Sequence, residues 1–153
     1  PTRRSSDLGF PEPFQRWVDC HEFDSLLQQA AQSSNLEQRC NLLQRAIELY
    51  KGPFLEGCFL DWALDLQNSY EQLALQALLE LAEAELGLQR WLPALQSANR
   101  ALRIDPFHVR AAGAAIKSHM GAGKTDLALQ FFETFNRRYQ DEMGQGLAMD
   151  QFF

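Results

Sequence analysis

Apolar residues in this chain recur at steps of three and four, the period of a helix with one buried face. Leu36, Cys40, Leu43, Ile47 and Tyr50 follow steps of four, three, four and three. Strand-type alternation is missing. Val and Ile occur only at positions 18, 47, 104, 109 and 116, while Leu, Ala, Gln, Glu and Arg fill the long stretches. Those residues favour helix over strand. Gly9, Pro11 and Pro13 make residues 1–18 an irregular or extended arm. The first helix is predicted to open at Asp19, with Glu22 completing its cap, and to turn Phe23, Leu26, Leu27, Ala30 and Ala31 inward. A second capping box, Ser34 to Glu37, opens the next helix, and Gly52-Pro53 closes it. The apolar connector Phe54, Leu55, Cys58 and Phe59 is expected to tuck into the core.

Asp61 is the predicted cap of the longest helix, residues 62–88, about 40 Å at 1.5 Å per residue. Trp62, Leu66, Tyr70, Leu73, Ala77, Leu81 and Ala84 line one face of it. Leu75, Leu78, Leu79, Leu86 and Leu88 widen that face until the helix is apolar over most of its circumference. Such a helix is sandwiched between neighbours. Further helices are predicted at 91–104, 106–122 and 125–140, with Asp105-Pro106 as cap and first residue of the second of these.

A period of 34 residues runs through this part of the chain. Ala94, Ala98 and Ala101 correspond at that shift to Ala128, Phe132 and Phe135, and Ala77, Leu95 and Gln96 to Ala111, Leu129 and Gln130. That is the length of one tetratricopeptide helix pair, and Ala101-Leu102-Arg103-Ile104-Asp105-Pro106 resembles the close of such a unit. Small residues where helices cross allow approach to about 8–10 Å, and neighbouring pairs bury what one pair leaves open. The expected fold is all-α: a tetratricopeptide-like right-handed stack of antiparallel helix pairs with an irregular N-terminal arm. Residues 75–106 and 109–140 should be like units, with Phe132 buried between them.

Composition narrows the function. The 153 residues hold 46% hydrophobic and 22% charged side chains, enough to fold as one ordinary domain. Fourteen basic against twenty acidic residues leave a net charge of −6. An acidic body repels phosphates, so direct nucleic-acid binding is not expected. Cys20, Cys40 and Cys58 have no metal-type spacing, no apolar run is long enough to span a membrane, and a reducing cytoplasm fits. The chain opens at Pro1 without an initiator Met, which is read as a processed product or a domain cut from a longer protein.

Chemistry is sparse. Gly121-Ala122-Gly123-Lys124-Thr125 ends like a phosphate-binding loop, but Ser118 stands where the first glycine belongs and the preceding residues are helical in composition. It is read as an inter-helix turn. His21, His108 and His119 are far apart, and neither a nucleophile with its base nor a metal-ligand cluster is recognisable. Enzymatic activity, a cofactor and a metal are therefore not expected. Trp17, Trp62 and Trp91 are read as packing residues.

Binding by contact remains. The open face of a tetratricopeptide stack is formed by the first helix of each pair. The 34-residue register assigns Gln76, Leu79, Glu83 and Leu86 to that face, followed by Arg110, Gly113, Lys117 and Met120. Arg110 and Lys117 suit an acidic or carboxylate-bearing segment. The first two helices could equally fill this groove.

Val18-Asp19 with Phe23, the run Ala46-Ile47-Glu48-Leu49-Tyr50-Lys51-Gly52-Pro53-Phe54-Leu55, the pair Asp61-Trp62 and the close Glu142-Met143-Gly144 together resemble the bacterial transcriptional activator domain. That family is the tetratricopeptide-like regulatory module of Streptomyces antibiotic regulatory proteins and of LuxR- or MalT-like regulators. The resemblance covers residues 19–144, with a tail at 145–153. It implies a module that acts through dimerisation, interdomain contact or engagement of the RNA polymerase machinery, with DNA bound by another domain. Three departures stand out: no DNA-binding domain is present, Gln89-Arg90-Trp91 replaces the usual Gly-Arg-aromatic turn, and the tail lacks a Pro-rich exit. A free-standing tetratricopeptide adaptor that captures a peptide is the alternative, and an ATPase fragment a third reading that rests only on Gly-Lys-Thr.

Overall fold

A computed structural model describes residues 12–50 and 60–153, with side chains from residue 19 onward. Six α-helices follow one another among these residues: α1 Glu12–Gln32, α2 Leu36–Leu49, α3 Asp61–Gly87, α4 Trp91–Ile104, α5 Val109–Gly121 and α6 Thr125–Met143. A 3-10 turn, Met149–Phe152, comes last. Each helix packs on the next, and α3 also touches α5. The result is a tetratricopeptide-like stack of three helix pairs.

The helix starts follow local chemistry more closely than the sequence patterns do. Helix α1 begins at Glu12, so the irregular arm predicted for residues 1–18 gives way to helix from residue 12. Pro13 permits this, because a first-turn residue needs no amide donor and proline's fixed φ suits a helix. The cap of α2 is Asn35, whose side chain accepts from the Gln38 amide at 3.2 Å, one residue later than the predicted Ser34 box. Asp61 is the first residue of α3 and not its cap; Leu60 holds that position without a side-chain bond. Its carboxylate still sits beside the positive end of the helix dipole. Asp105 ends α4 and takes the Phe107 amide at 3.1 Å, so the start of α5 passes to His108, whose Nδ1 accepts from the Ala111 amide. The connector 51–59, with Phe54, Leu55, Cys58 and Phe59, lies outside the described residues, as does the Trp17 side chain.

The core runs along α3. Ala74, Leu75, Ala77, Leu78, Leu79, Leu81, Ala82 and Ala84 are all buried, as a helix enclosed by neighbours requires. On one side Phe23 and Leu26 of α1 meet Ala46 and Ala74, with Phe23 facing the Tyr70 ring at 6.1 Å. On another, Ala82, Ala98, Ala114 and Ala115 form an all-alanine contact where α3, α4 and α5 converge. Ala31, Leu36 and Leu73 were expected inside and are exposed, as is Trp62. Trp91 does pack: a Cβ on Gly121 would lie 2.4 Å from its ring, so only glycine fits there.

The two like units are visible in the backbone. Between α3 and α4, the amides of Leu88, Gln89 and Arg90 donate to the carbonyls of Ala84, Leu86 and Glu85. Between α5 and α6, Ala122, Gly123 and Lys124 donate to Ser118, Met120 and His119, the same three bonds shifted by 34 residues. The left-handed residue of each turn is Gln89, at φ 58°, and Gly123, at φ 74°. The Gly-Lys-Thr string is therefore a helix-to-helix turn, with α5 in front of it where a phosphate loop has a strand.

Candidate interaction groove

A groove of about 150 Å³ opens on the face shared by α3 and α5. Glu83 and Leu86 contribute from α3, and Arg110, Gly113 and Lys117 from α5, all assigned to the open face by the 34-residue register. Val109 and Ala114 complete the helical wall, and Gln151 and Phe152 of the 3-10 turn close the far side. Three of the predicted residues fall elsewhere. Leu79 is buried, in a core cluster that also holds Ala111 of α5. Gln76 is exposed and donates to Glu80 at 3.0 Å, and Met120 is exposed at the end of α5; neither lines the groove.

The groove is electrically mixed. Arg110 Nη2 meets Glu83 Oε1 at 2.7 Å, tying α5 to α3 across the rim. Lys117 is exposed and has no ion-pair partner among the described residues. Deeper, Arg39 of α2 pairs with Glu80 at 2.8 Å. Burial pushes the Glu80 carboxyl up, yet the hydrogen bonds from Arg39 and Gln76 prevail and hold it below the usual range. Arg90 also pairs with Glu37, joining the α3–α4 turn to the start of α2.

Phe152 gives the groove its shape. The ring lies edge-on to Phe132 at 5.7 Å and belongs to a buried cluster with Ala112, Ile116, Ala128 and Phe135. A Cβ on Gly113 would meet its Cδ1 at 3.1 Å, so the glycine creates the seat. The chain reaches this seat by reversing at Gly144, which caps α6 at φ 79°, after which Asn136 Oδ1 accepts from the Leu147 amide at 2.6 Å. Phe132, expected between the repeats, is half-buried against this last segment; Phe135 is the ring that goes inside. The sequence carried a usable sign of the seat: an interior helix glycine is unfavourable by about 0.5–1 kcal/mol relative to alanine, and Gly113 sits within an otherwise uninterrupted alanine run.

Away from the groove, Glu85 is a buried carboxylate on α3. It accepts from Ser97 Oγ at 2.9 Å and from Gln44 Nε2 at 3.3 Å, and burial raises its pKa. The equivalent pair in the next unit, His119 and Phe131, has rings 6.2 Å apart. Burial and then Lys124 lower the His119 pKa. No group of three or more metal-ligating side chains occurs among the described residues, and no helix there is long and apolar enough to cross a membrane.

A family model for the bacterial transcriptional activator domain matches residues 18–149, most of the chain. No curated protein and no solved structure matches it.

Proposed function

Because the chain belongs to the bacterial transcriptional activator domain family, we propose that it is the regulatory contact module of a transcriptional activator, with DNA bound by another domain. The observation that carries this reading is the α3–α5 groove. In it Arg110, paired with Glu83, and Lys117, without an ion-pair partner among the described residues, stand beside an aromatic seat on a chain of net charge −6, and the uncompensated Lys117 favours an acidic protein segment. Gln76, Leu79 and Met120 drop out of the proposed contact surface; Glu83, Leu86, Arg110 and Lys117 remain. The partner is another domain of the parent regulator, the RNA polymerase machinery or a second copy of the module. Its mechanism is contact, in the cytoplasm, without catalysis.

Charge reversal in the groove tests this. In an activator carrying the module, Arg110→Glu with Lys117→Glu should lower promoter activation about tenfold, equivalent to ~1.4 kcal/mol of lost contact energy. DNA affinity should not change, and the thermal melt should fall by no more than the worth of the exposed Arg110–Glu83 pair, about 0–1 kcal/mol. Undiminished activation would sink the proposal. A free-standing peptide adaptor would use the same groove, but the double variant would then lose peptide capture and leave every promoter unaffected.

A further inference from the structure

One wall of the groove is a segment of the chain's own tail, and the way that segment sits shows what the α5 face accepts. In the first unit α3 is packed by α5 of the next pair, as α5 in turn is packed by the 3-10 turn, and Leu79 of α3 is buried in a cluster that includes Ala111. The equivalent residue 34 positions on is Gly113, and Phe152 covers it. Residues 147–152 thus pack on α5 as a following helix pair would.

Their polar hold is slight, and the packing rests on one buried ring, Phe152, with Leu147 and Met149 beside it. Beyond Gly144 the only hydrogen bond from this segment to the helices, among the described residues, is Leu147 to Asn136. Its remaining backbone and side-chain bonds are internal: Gln151 to Ala148, Phe153 to Asp150, and Ala148 to the Gln151 side chain. Met149 and Leu147 are half-buried, Asp150 and Gln151 are exposed, and Phe152 alone is fully seated. Asp150 forms no ion pair with Lys117, so the cation beside the seat is unused by the present cover.

We propose that residues 145–153 are a built-in, displaceable cover of the α5 face at Gly113, whose departure widens the groove, and that the ligand admitted in their place is a segment of another protein chain with an aromatic anchor for Gly113 and a carboxylate for Lys117. This rests on reading the groove as the interaction surface, and adds the partner's chemistry and a means of regulation. A cover in cis lowers the apparent affinity for any ligand in trans by the fraction of time the seat is filled.

The probe is a labelled peptide of residues 145–153, titrated into the intact chain by fluorescence anisotropy. Phe152→Ala empties the seat and should bind the peptide about tenfold more tightly than the wild type. Asn136→Ala removes the segment's hydrogen bond to the helices and loosens it while Phe152 and the core stay intact, so a smaller gain in peptide affinity is expected, and it decides the matter if Phe152→Ala fails to fold. Adding Gly113→Leu to either should abolish binding, and adding Lys117→Glu should weaken it. Equal affinity in wild type and both releasing variants, or binding by none of them, overturns the proposal. Promoter activation lost on Arg110 and Lys117 reversal with no peptide exchange would leave the functional reading intact and remove displacement; peptide exchange without a promoter effect would do the reverse.

Discussion

Gln89 adopts the conformation that the second unit gives to Gly123, and it does so with a Cβ. A left-handed backbone brings that Cβ against the following carbonyl, a strain of roughly 1–2 kcal/mol that glycine escapes. The sequence showed this position as a departure from the family's Gly-Arg-aromatic turn, but only the backbone identifies it as strained. Gln89→Gly should therefore raise unfolding stability by about 1 kcal/mol in a denaturant melt. A decrease would mean that the Gln89 side chain makes a contact worth more than the strain. Glu85 is the second residue with a legible energetic signature. Its pKa is raised in the folded chain by burial, against the hydrogen bonds from Ser97 and Gln44, so protonation favours the fold. That contribution is full below the ordinary glutamate pKa and disappears as pH rises through the raised one. Glu85→Gln keeps a polar partner for Ser97 and Gln44 and cannot ionise. Melts from pH 4 to 7 should show the variant gaining on the wild type as pH rises; parallel curves would show that Glu85 is not desolvated.

At the scale of elements, the sequence was most informative where one strong signal acted alone. The bounds of α4, Trp91–Ile104, follow from its alanine ladder and its flanking turns. It was least informative where several capping residues stood side by side. Ser33, Ser34 and Asn35 are all residue types that cap helices, and only the structure shows that the Asn35 side chain is the one that takes the Gln38 amide. Periodicity also cannot tell a face covered by a neighbouring helix from one covered by a terminal segment. Phe132 and Phe135 share one stripe of α6, yet Phe135 is 7% exposed while Phe132 is half-buried at the cluster's margin, its ring edge-on to Phe152. The groove was half legible for the same reason: the register found Glu83, Leu86, Arg110 and Lys117, but nothing periodic announces that Phe152 returns from the chain's last turn. Phe135→Ala should cost about 3–5 kcal/mol and Phe132→Ala about 1–2 kcal/mol. Equal losses in chemical denaturation would contradict this division of the α6 face.

At the scale of the molecule, stacking makes stability a sum over neighbours, and the elements do not have equal numbers of them. Helix α3 is bounded by α2, α4 and α5, and its residues 74–85 contribute to three of the four core clusters. Helix α6 packs on α5 and on the segment that carries Phe152. Ion pairs follow the same gradient: Arg39–Glu80 and Arg110–Glu83 tie α2 and α5 to α3, Arg90–Glu37 ties the α3–α4 turn to α2, and among the described residues none involves α6. Local opening should therefore start at α6 and reach α3 last. In native-state hydrogen exchange, amides of residues 74–85 should exchange at least ~10-fold more slowly than those of residues 125–143. Lys117 and Arg110 lie on α5, between these regimes, so a ligand seated there can steady α6 without any change in the α3 core. Exchange that slows in α6 alone when the peptide of residues 145–153 binds Phe152→Ala would locate the coupling; uniform slowing across all six helices would show that the stack opens as one unit.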